Sequence, residues 1–278
     1  MFAAEGCAPA PGLNRLAATG RTFRAMTGIT KIAGDFEAGL SLTGDLPARR
    51  AAVTYAWISG KLADAAWDVG GTVGSLRVGS VGDDFTGDFA STIGSLSGDW
   101  TVPSIRSVRV GDSVVGAALT LTQAAAPKSL AMTLGYMSVR RWIDASSVES
   151  AGTIGSLTAG AIRDSDVFAG VSQTRDSNSD GRADMPDPDT DFDVLALAAI
   201  KAVTINGIRG EEFAVARSNI AAANLGRIAI GNVDGDNGGK RFGVTGKHLG
   251  GLRCASARTT PASSAGQPSL GDFRVHVV

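Results

Sequence analysis

The chain has 278 residues, 44% of them apolar, with 26 basic and 27 acidic side chains that leave a net charge of −1. So even a balance excludes a strongly basic nucleic-acid binder, and no apolar run approaches the roughly twenty residues that span a bilayer. Two cysteines and two histidines exclude a disulfide framework and leave little material for a zinc site. Glycine, at 37 residues, is present at about twice its usual share. It shows no Gly-X-Y period, so collagen is excluded, and its scatter among short Val/Ile/Leu runs signals many tight turns between short strands.

Residues 1–28 read as an irregular segment. The start, Met1 to Cys7, carries neither a basic n-region nor an apolar h-region, so as written it is not a signal peptide. Strand-like material begins near Ile29 with no cap before it, although the end of a repeat array normally needs one. This leads to the expectation that the chain is the C-terminal part of a longer protein. Between Pro47 and Trp67, alanine-rich runs support a helix as well as a strand.

From Val73 onward one pattern recurs: apolar, two small or polar residues, apolar, one variable residue, then apolar or small. It reads Val73-Gly-Ser-Leu76-Arg-Val78, Ile93-Gly-Ser-Leu96, Ile105-Arg-Ser-Val108-Arg-Val110, Leu134-Gly-Tyr-Met137-Ser-Val139 and Ile154-Gly-Ser-Leu157-Thr-Ala159. Later copies are Ile200-Lys-Ala-Val203-Thr-Ile205, Leu225-Gly-Arg-Ile228-Ala-Ile230 and Leu249-Gly-Gly-Leu252-Arg-Cys254. Two further echoes link Trp67-Asp-Val69 with Trp100-Thr-Val102, and Gly39-Leu-Ser-Leu-Thr43 with Ala118-Leu-Thr-Leu-Thr122. The end of each copy alternates, which places its fourth and sixth residues on one strand face. Leu76, Val78, Val108, Val110, Val203, Ile205, Ile228 and Ile230 are expected inside, and Arg77, Arg109, Thr204 and Arg253 outside.

Most copies are spaced by roughly 20 to 25 residues or about twice that. The expected fold is therefore all-β: a parallel β-solenoid over residues 29–254, β-helix-like, of about ten imperfect rungs stacked at about 4.8 Å into a rod on the order of 50 Å long. Ile105 breaks the spacing and is assigned to another face of the coil. The competing architecture is a β-sandwich with coincidental Gly-Ser turns.

The Ile-Gly-Ser-Leu units, the Asp99-Trp-Thr-Val102 run and the segment Ser218-Asn-Ile-Ala-Ala-Ala223 resemble those of large Gly-rich bacterial repeat proteins that are secreted or surface-attached. The resemblance covers most of residues 30–252 and implies parallel β-helix architecture, adjoining repeats in a longer chain, and an extracellular or cell-surface setting. It brings no catalytic residues.

An Asp-rich insertion, residues 172–194, interrupts the repeats. Asp176, Asn178 and Asp180 alternate before Gly181, and Asp184 and Asp187 follow at the ninth and twelfth positions. A hard divalent cation needs six to eight oxygens around a tightly curled loop, and glycine at the sixth position permits the turn. With the Arg182 carbonyl as the seventh-position ligand, the set fits a Ca2+ loop. Asp187 stands where an EF-hand has Glu, and Pro186 and Pro188 prevent a normal exiting helix. The loop therefore looks more like the calcium loops of dockerin or thrombospondin type, and a solvated acidic insertion is the alternative.

Other groups are bland. Asp83, Asp84 and Asp88, near Arg77 or Arg109, imitate the carboxylate clusters of polysaccharide-cleaving β-helices, but they read more simply as turn aspartates. Asp234-Gly-Asp-Asn-Gly-Gly239 reads as a turn, His248 as a surface residue at a strand start, and Cys254 as a buried inert thiol. Residues 255–270 read as a mobile connection, within a terminal region 255–278 that ends on a closing strand. The functional expectation is a non-catalytic structural or interaction module of an extracellular repeat protein, calcium-stabilised. The alternative is a β-helix that binds or cleaves polysaccharide.

Overall fold

The computed structural model describes residues 15–19, 30–32, 39–43, 51–58, 60–63, 66–79, 96–102, 104–122, 132–172, 176, 183–187, 190–192, 198–256 and 269–277. Among them the fold is all-β, with no helix and one strongly curled sheet of 21 strands. In chain order these are β1 (Arg15–Thr19), β2 (Thr30–Ile32), β3 (Gly39–Thr43), β4 (Ala51–Ile58), β5 (Trp67–Val69), β6 (Thr72–Val78) and β7 (Leu96–Val102). Then come β8 (Ile105–Val110), β9 (Val114–Leu121), β10 (Met132–Asp144), β11 (Ser147–Ser150), β12 (Thr153–Arg163), β13 (Asp166–Ala169) and β14 (Ala199–Ile205). The last are β15 (Val215–Ala216), β16 (Asn219–Ala222), β17 (Asn224–Ile230), β18 (Phe242–Gly246), β19 (His248–Cys254), β20 (Ser269–Leu270) and β21 (Phe273–Val277).

Two interleaved parallel ladders organise the chain. The first runs β2–β4–β6–β8–β10–β12–β14–β17–β19. The second runs β1–β3–β5–β7–β9–β11–β13–β16–β18–β21. A short third row joins them at one corner, where Leu96, Val114, Ile143, Ile162, Val215 and Val233 follow one another in register. The antiparallel pair β20–β21 makes the sheet mixed.

The apolar repeat sets the register of the first ladder. Val73, Ile105, Leu134, Ile154, Ile200, Leu225 and Leu249 pair in succession, as do the fourth and sixth positions of the same copies. The residues expected inside are buried to 4% exposure or less and belong to one continuous core. A parallel ladder admits this pattern because a slip of one residue would turn every apolar side chain outward.

Ile105 is not on another face: it pairs directly with Val73 and Leu134. The irregular spacing that suggested otherwise comes from the chain between β6 and β8, which separates Thr72 from Ser104 by 32 positions without changing the register. Of the Ile93 copy, Ile93 to Ser95 lie outside the described residues. Leu96 pairs with Val114 in the corner row, so this copy does not join the first ladder. The Trp67 and Trp100 echoes stack on each other in the second ladder. Leu40 and Leu119 continue that same row. Within the alanine-rich stretch from Pro47 to Trp67, residues 51–58 form β4, not a helix.

Glycine in the repeat answers a packing demand. A Cβ on Gly155 would stand 2.3 Å from the carbonyl oxygen of Gly135, and one on Gly226 would stand 2.1 Å from that of Lys201. The chain at this position points along the stacking direction, straight at the preceding strand. At Gly155 and Gly226 only hydrogen fits without a backbone shift, although Arg106 and Lys201 occupy the same repeat position in β8 and β14.

Between the corner row and the second ladder the chain turns through one left-handed residue, Gly116, Ala145, Asp164 or Arg217, with φ between 45° and 58°. Serine follows in three of the four turns. Ser146 N donates to Ser165 Oγ at 3.0 Å, Ser165 N donates to Ser218 Oγ at 3.1 Å, and Ala117 N donates to Ser146 Oγ at 3.1 Å. Each hydroxyl in turn donates to the carbonyl two residues before it, of Asp144, Arg163 and Ala216. This buried hydroxyl column supplies acceptors to corner N–H groups, which the sheet ladders leave behind as the chain bends.

Candidate functional site

The acidic insertion was the expected cation site. Asn178, Asp180 and Arg182 lie outside the described residues, as do Asp83, Asp84 and Asp88. Asp176 and Asp187 are exposed and Asp184 is half-buried. Among the described residues no three His, Cys, Asp or Glu side chains form a group that could hold a metal ion.

The return limb of the insertion is anchored. Asp191, 4% exposed, accepts from the backbone N of Asp187 at 2.8 Å and from Thr190 Oγ1 at 3.0 Å. Ser172 N donates to the Asp191 carbonyl at 2.8 Å, and Val171 bridges Phe192 antiparallel. Phe192 then packs with Phe168, Ala221 and Ala223, with Val171 and Ala183 beside them, which seats this end of the insertion on β13 and β16.

Asp234 to Gly239 is a turn, as its composition suggested. Asp234 Oδ1 accepts from Asp236 N at 3.1 Å and Asp236 Oδ1 accepts from Gly238 N at 3.0 Å. Asp272 closes the turn from the other side by accepting from Asn237 N and Gly239 N, both at 2.8 Å. These two backbone donors hold its carboxyl below the usual range. Cys254 is buried at 5% exposure with its thiol 3.7 Å from the Gly231 carbonyl, and His248 is exposed at the start of β19.

The corner between β10, β12 and β15 carries paired charge. Arg163 makes a bidentate pair with Asp144, at 2.9 and 2.5 Å, while its guanidinium lies 4.9 Å from the Trp142 ring centroid. Arg217 makes the same bond to Asp164 at 2.8 and 2.7 Å. Both pairs link successive strands of the stack, and partial exposure limits each to roughly 0–1 kcal/mol. Asp112 is buried at 3% exposure, with Arg141 Nε 4.0 Å away. Burial pushes its carboxyl up, and Arg141 and Arg140 oppose that shift.

The outer face of the first ladder is different in kind. In the repeat copies of β6, β8, β10, β12, β14, β17 and β19, the second, third and fifth positions hold Arg77, Arg106, Arg109, Lys201, Arg227 and Arg253, and no carboxylate; Arg140 and Asp144 lie past the copy, toward the corner end of β10. Arg77 is half-buried and the other five are exposed. None of the six forms an ion pair among the described residues, whereas Arg141, Arg163 and Arg217 at the corners each face an aspartate. Since the whole chain is nearly neutral, charge is segregated by face. The remaining positions carry hydroxyl groups (Ser75, Ser107, Tyr136, Ser138, Ser156, Thr158 and Thr204) or are alanine and glycine. Arg77 lies 5.0 Å from the Trp57 ring centroid and Arg109 lies 5.6 Å from that of Tyr136, stacks worth about 0.5–1 kcal/mol each at exposed sites. Ser107 Oγ donates to Ser75 Oγ at 2.9 Å across β6 and β8.

Arg77, Arg109 and Arg253 are legible in the sequence one by one as outward residues, whereas Arg106, Lys201 and Arg227 carry no such mark. The signal was present in the second, third and fifth positions of each repeat copy, compared between copies. The arrangement can bind a multivalent anion, and on the described face no carboxylate stands beside these cations to act as a general acid or base. Comparison with known protein families, curated proteins and solved structures returns no match.

Proposed function

We propose that the chain is a non-catalytic interaction module of a secreted or cell-surface bacterial repeat protein. In this reading the two ladders wind as a parallel β-solenoid of about ten rungs, adjoining repeats continue it, and the cationic face is its working surface. The in-register stacking of the apolar repeat supports the coil, because no strand of the first ladder could bury its apolar side alone. The observation that carries the functional reading is the set of six face cations without carboxylate partners among the described residues, on a chain of net charge −1.

Calcium belongs to this proposal as a stabiliser of the acidic insertion, on the strength of the alternating Asp176, Asn178 and Asp180 spacing before Gly181. A polysaccharide-cleaving β-helix is the rival, and it requires a carboxylate or other base poised against a bound sugar. The deciding experiment incubates the whole chain with acidic and neutral polysaccharides, with calcium present, and assays unsaturated and reducing ends. No product above the protein-free control is expected. Sustained release of either kind of end overturns the non-catalytic reading.

A further inference from the structure

Resting on that reading, we infer that the cationic face binds a linear carboxylated polysaccharide laid along the stacking direction. The cations fall into two groups, Arg77, Arg106 and Arg109 on β6 and β8, and Lys201, Arg227 and Arg253 on β14, β17 and β19. Between them β10 and β12 present Tyr136, Ser138, Ser156 and Thr158 in the same outward rows. From β6 to β19 there are six strand intervals, a span of about 29 Å at the usual spacing between paired strands. A straight polymer with repeating carboxylates meets both groups at once, while its hydroxyls meet the neutral middle.

Five of the six cations are arginine, whose planar fork matches a carboxylate. A single-stranded nucleic acid fits less well, because it needs open aromatic platforms for its bases. Here the Trp57 and Tyr136 rings are already faced by Arg77 and Arg109. A duplex curves away from a straight row within a few phosphates, and the balanced net charge supplies no long-range attraction to it.

Titration of the whole chain with sodium polygalacturonate, followed by calorimetry, tests this. Binding is expected, weakening as NaCl rises, with neutral dextran silent. Arg227→Gln/Arg253→Gln should lower affinity roughly tenfold or more, as losing one of two linked contact groups requires. Arg106→Gln/Arg109→Gln should do the same from the other end, and keeps the test intact if the first variant folds poorly by circular dichroism. Arg209→Gln/Arg241→Gln, which removes two exposed charges off this face, should bind as the parent does. A trigalacturonate, too short to bridge both groups, should bind far more weakly than a decamer. Absence of binding, equal affinity for dextran or for DNA, equal loss in the off-face variant, or equal affinity of trimer and decamer each overturns the inference. Release of sugar ends in the same mixture would instead overturn the non-catalytic reading, so the two failures are distinguishable.

Discussion

Ser165 ties three turns of the chain together. Its hydroxyl accepts from Ser146 N and donates to the Arg163 carbonyl, while its own N–H reaches Ser218 Oγ. At 1% exposure, Ser165→Ala leaves the Ser146 N–H without this acceptor, which costs about 1–3 kcal/mol. Urea unfolding should show that loss, against a change within about 0.5 kcal/mol for Ser138→Ala on the outer face. Two aspartates should respond to pH with opposite signs. The folded-state pKa of Asp272 is depressed by Asn237 N and Gly239 N. Its contribution is present above the unfolded carboxyl value of about 3.9, and is lost as pH falls through the lower folded value. Asp112 is raised by burial. Its contribution is present below the unfolded value and is lost as pH rises through the folded one. Melting profiles from acid to neutral pH should therefore show Asp272→Asn blunting the acid loss and Asp112→Asn blunting the decline toward neutrality. The serine column escaped sequence reasoning because each serine is a single residue beside no periodic apolar signal, and the bonded neighbours lie 19 and 53 positions apart.

Among the elements, the paired strands β14 and β17 show what the repeat encodes. Gly226→Ala would drive a methyl to 2.1 Å from the Lys201 carbonyl. The strands must separate locally, at a cost of about 1–3 kcal/mol for an overpacked site, which chemical denaturation measures. The pairing of β6 with β8 can be trapped directly. Ser75 and Ser107 are register partners with their hydroxyls 2.9 Å apart. In a Cys7→Ser/Cys254→Ala background, Ser75→Cys/Ser107→Cys should oxidise to a disulfide, since paired strands place Cα atoms about 4.8 Å apart, within disulfide range. Ser75→Cys/Ser156→Cys, three strands removed, should stay reduced. The first ladder was legible because its inward residues form the periodic apolar signal. Ile105 misled because extra chain between β6 and β8 stretched the spacing while the register held. The calcium proposal for the acidic insertion is checked by melting the chain in excess calcium and in EDTA. A rise in melting temperature that Asp176→Ala/Asp180→Ala abolishes is expected. The same temperature in both conditions would make the loop a solvated insertion.

At the scale of the whole molecule, stacking converts a modest sequence feature into a surface. Arg77 and Arg109 are 32 positions apart in sequence yet direct register neighbours, and Lys201, Arg227 and Arg253 share a face only because β14, β17 and β19 pair in succession. Each looks like an ordinary outward charge in its own strand, and the near-zero net charge hides the face altogether. Charge totals report on the chain, whereas recognition reads one side of it. The central claim, that this face is where the molecule engages its partner, is tested most directly by arginine modification with phenylglyoxal, read by mass spectrometry, with and without polygalacturonate. Protection of Arg109, Arg227 and Arg253 is expected, with Arg163 and Arg217 at the corner modified equally in both conditions. Protection confined to Arg163 and Arg217, or no difference at any arginine, would contradict the account.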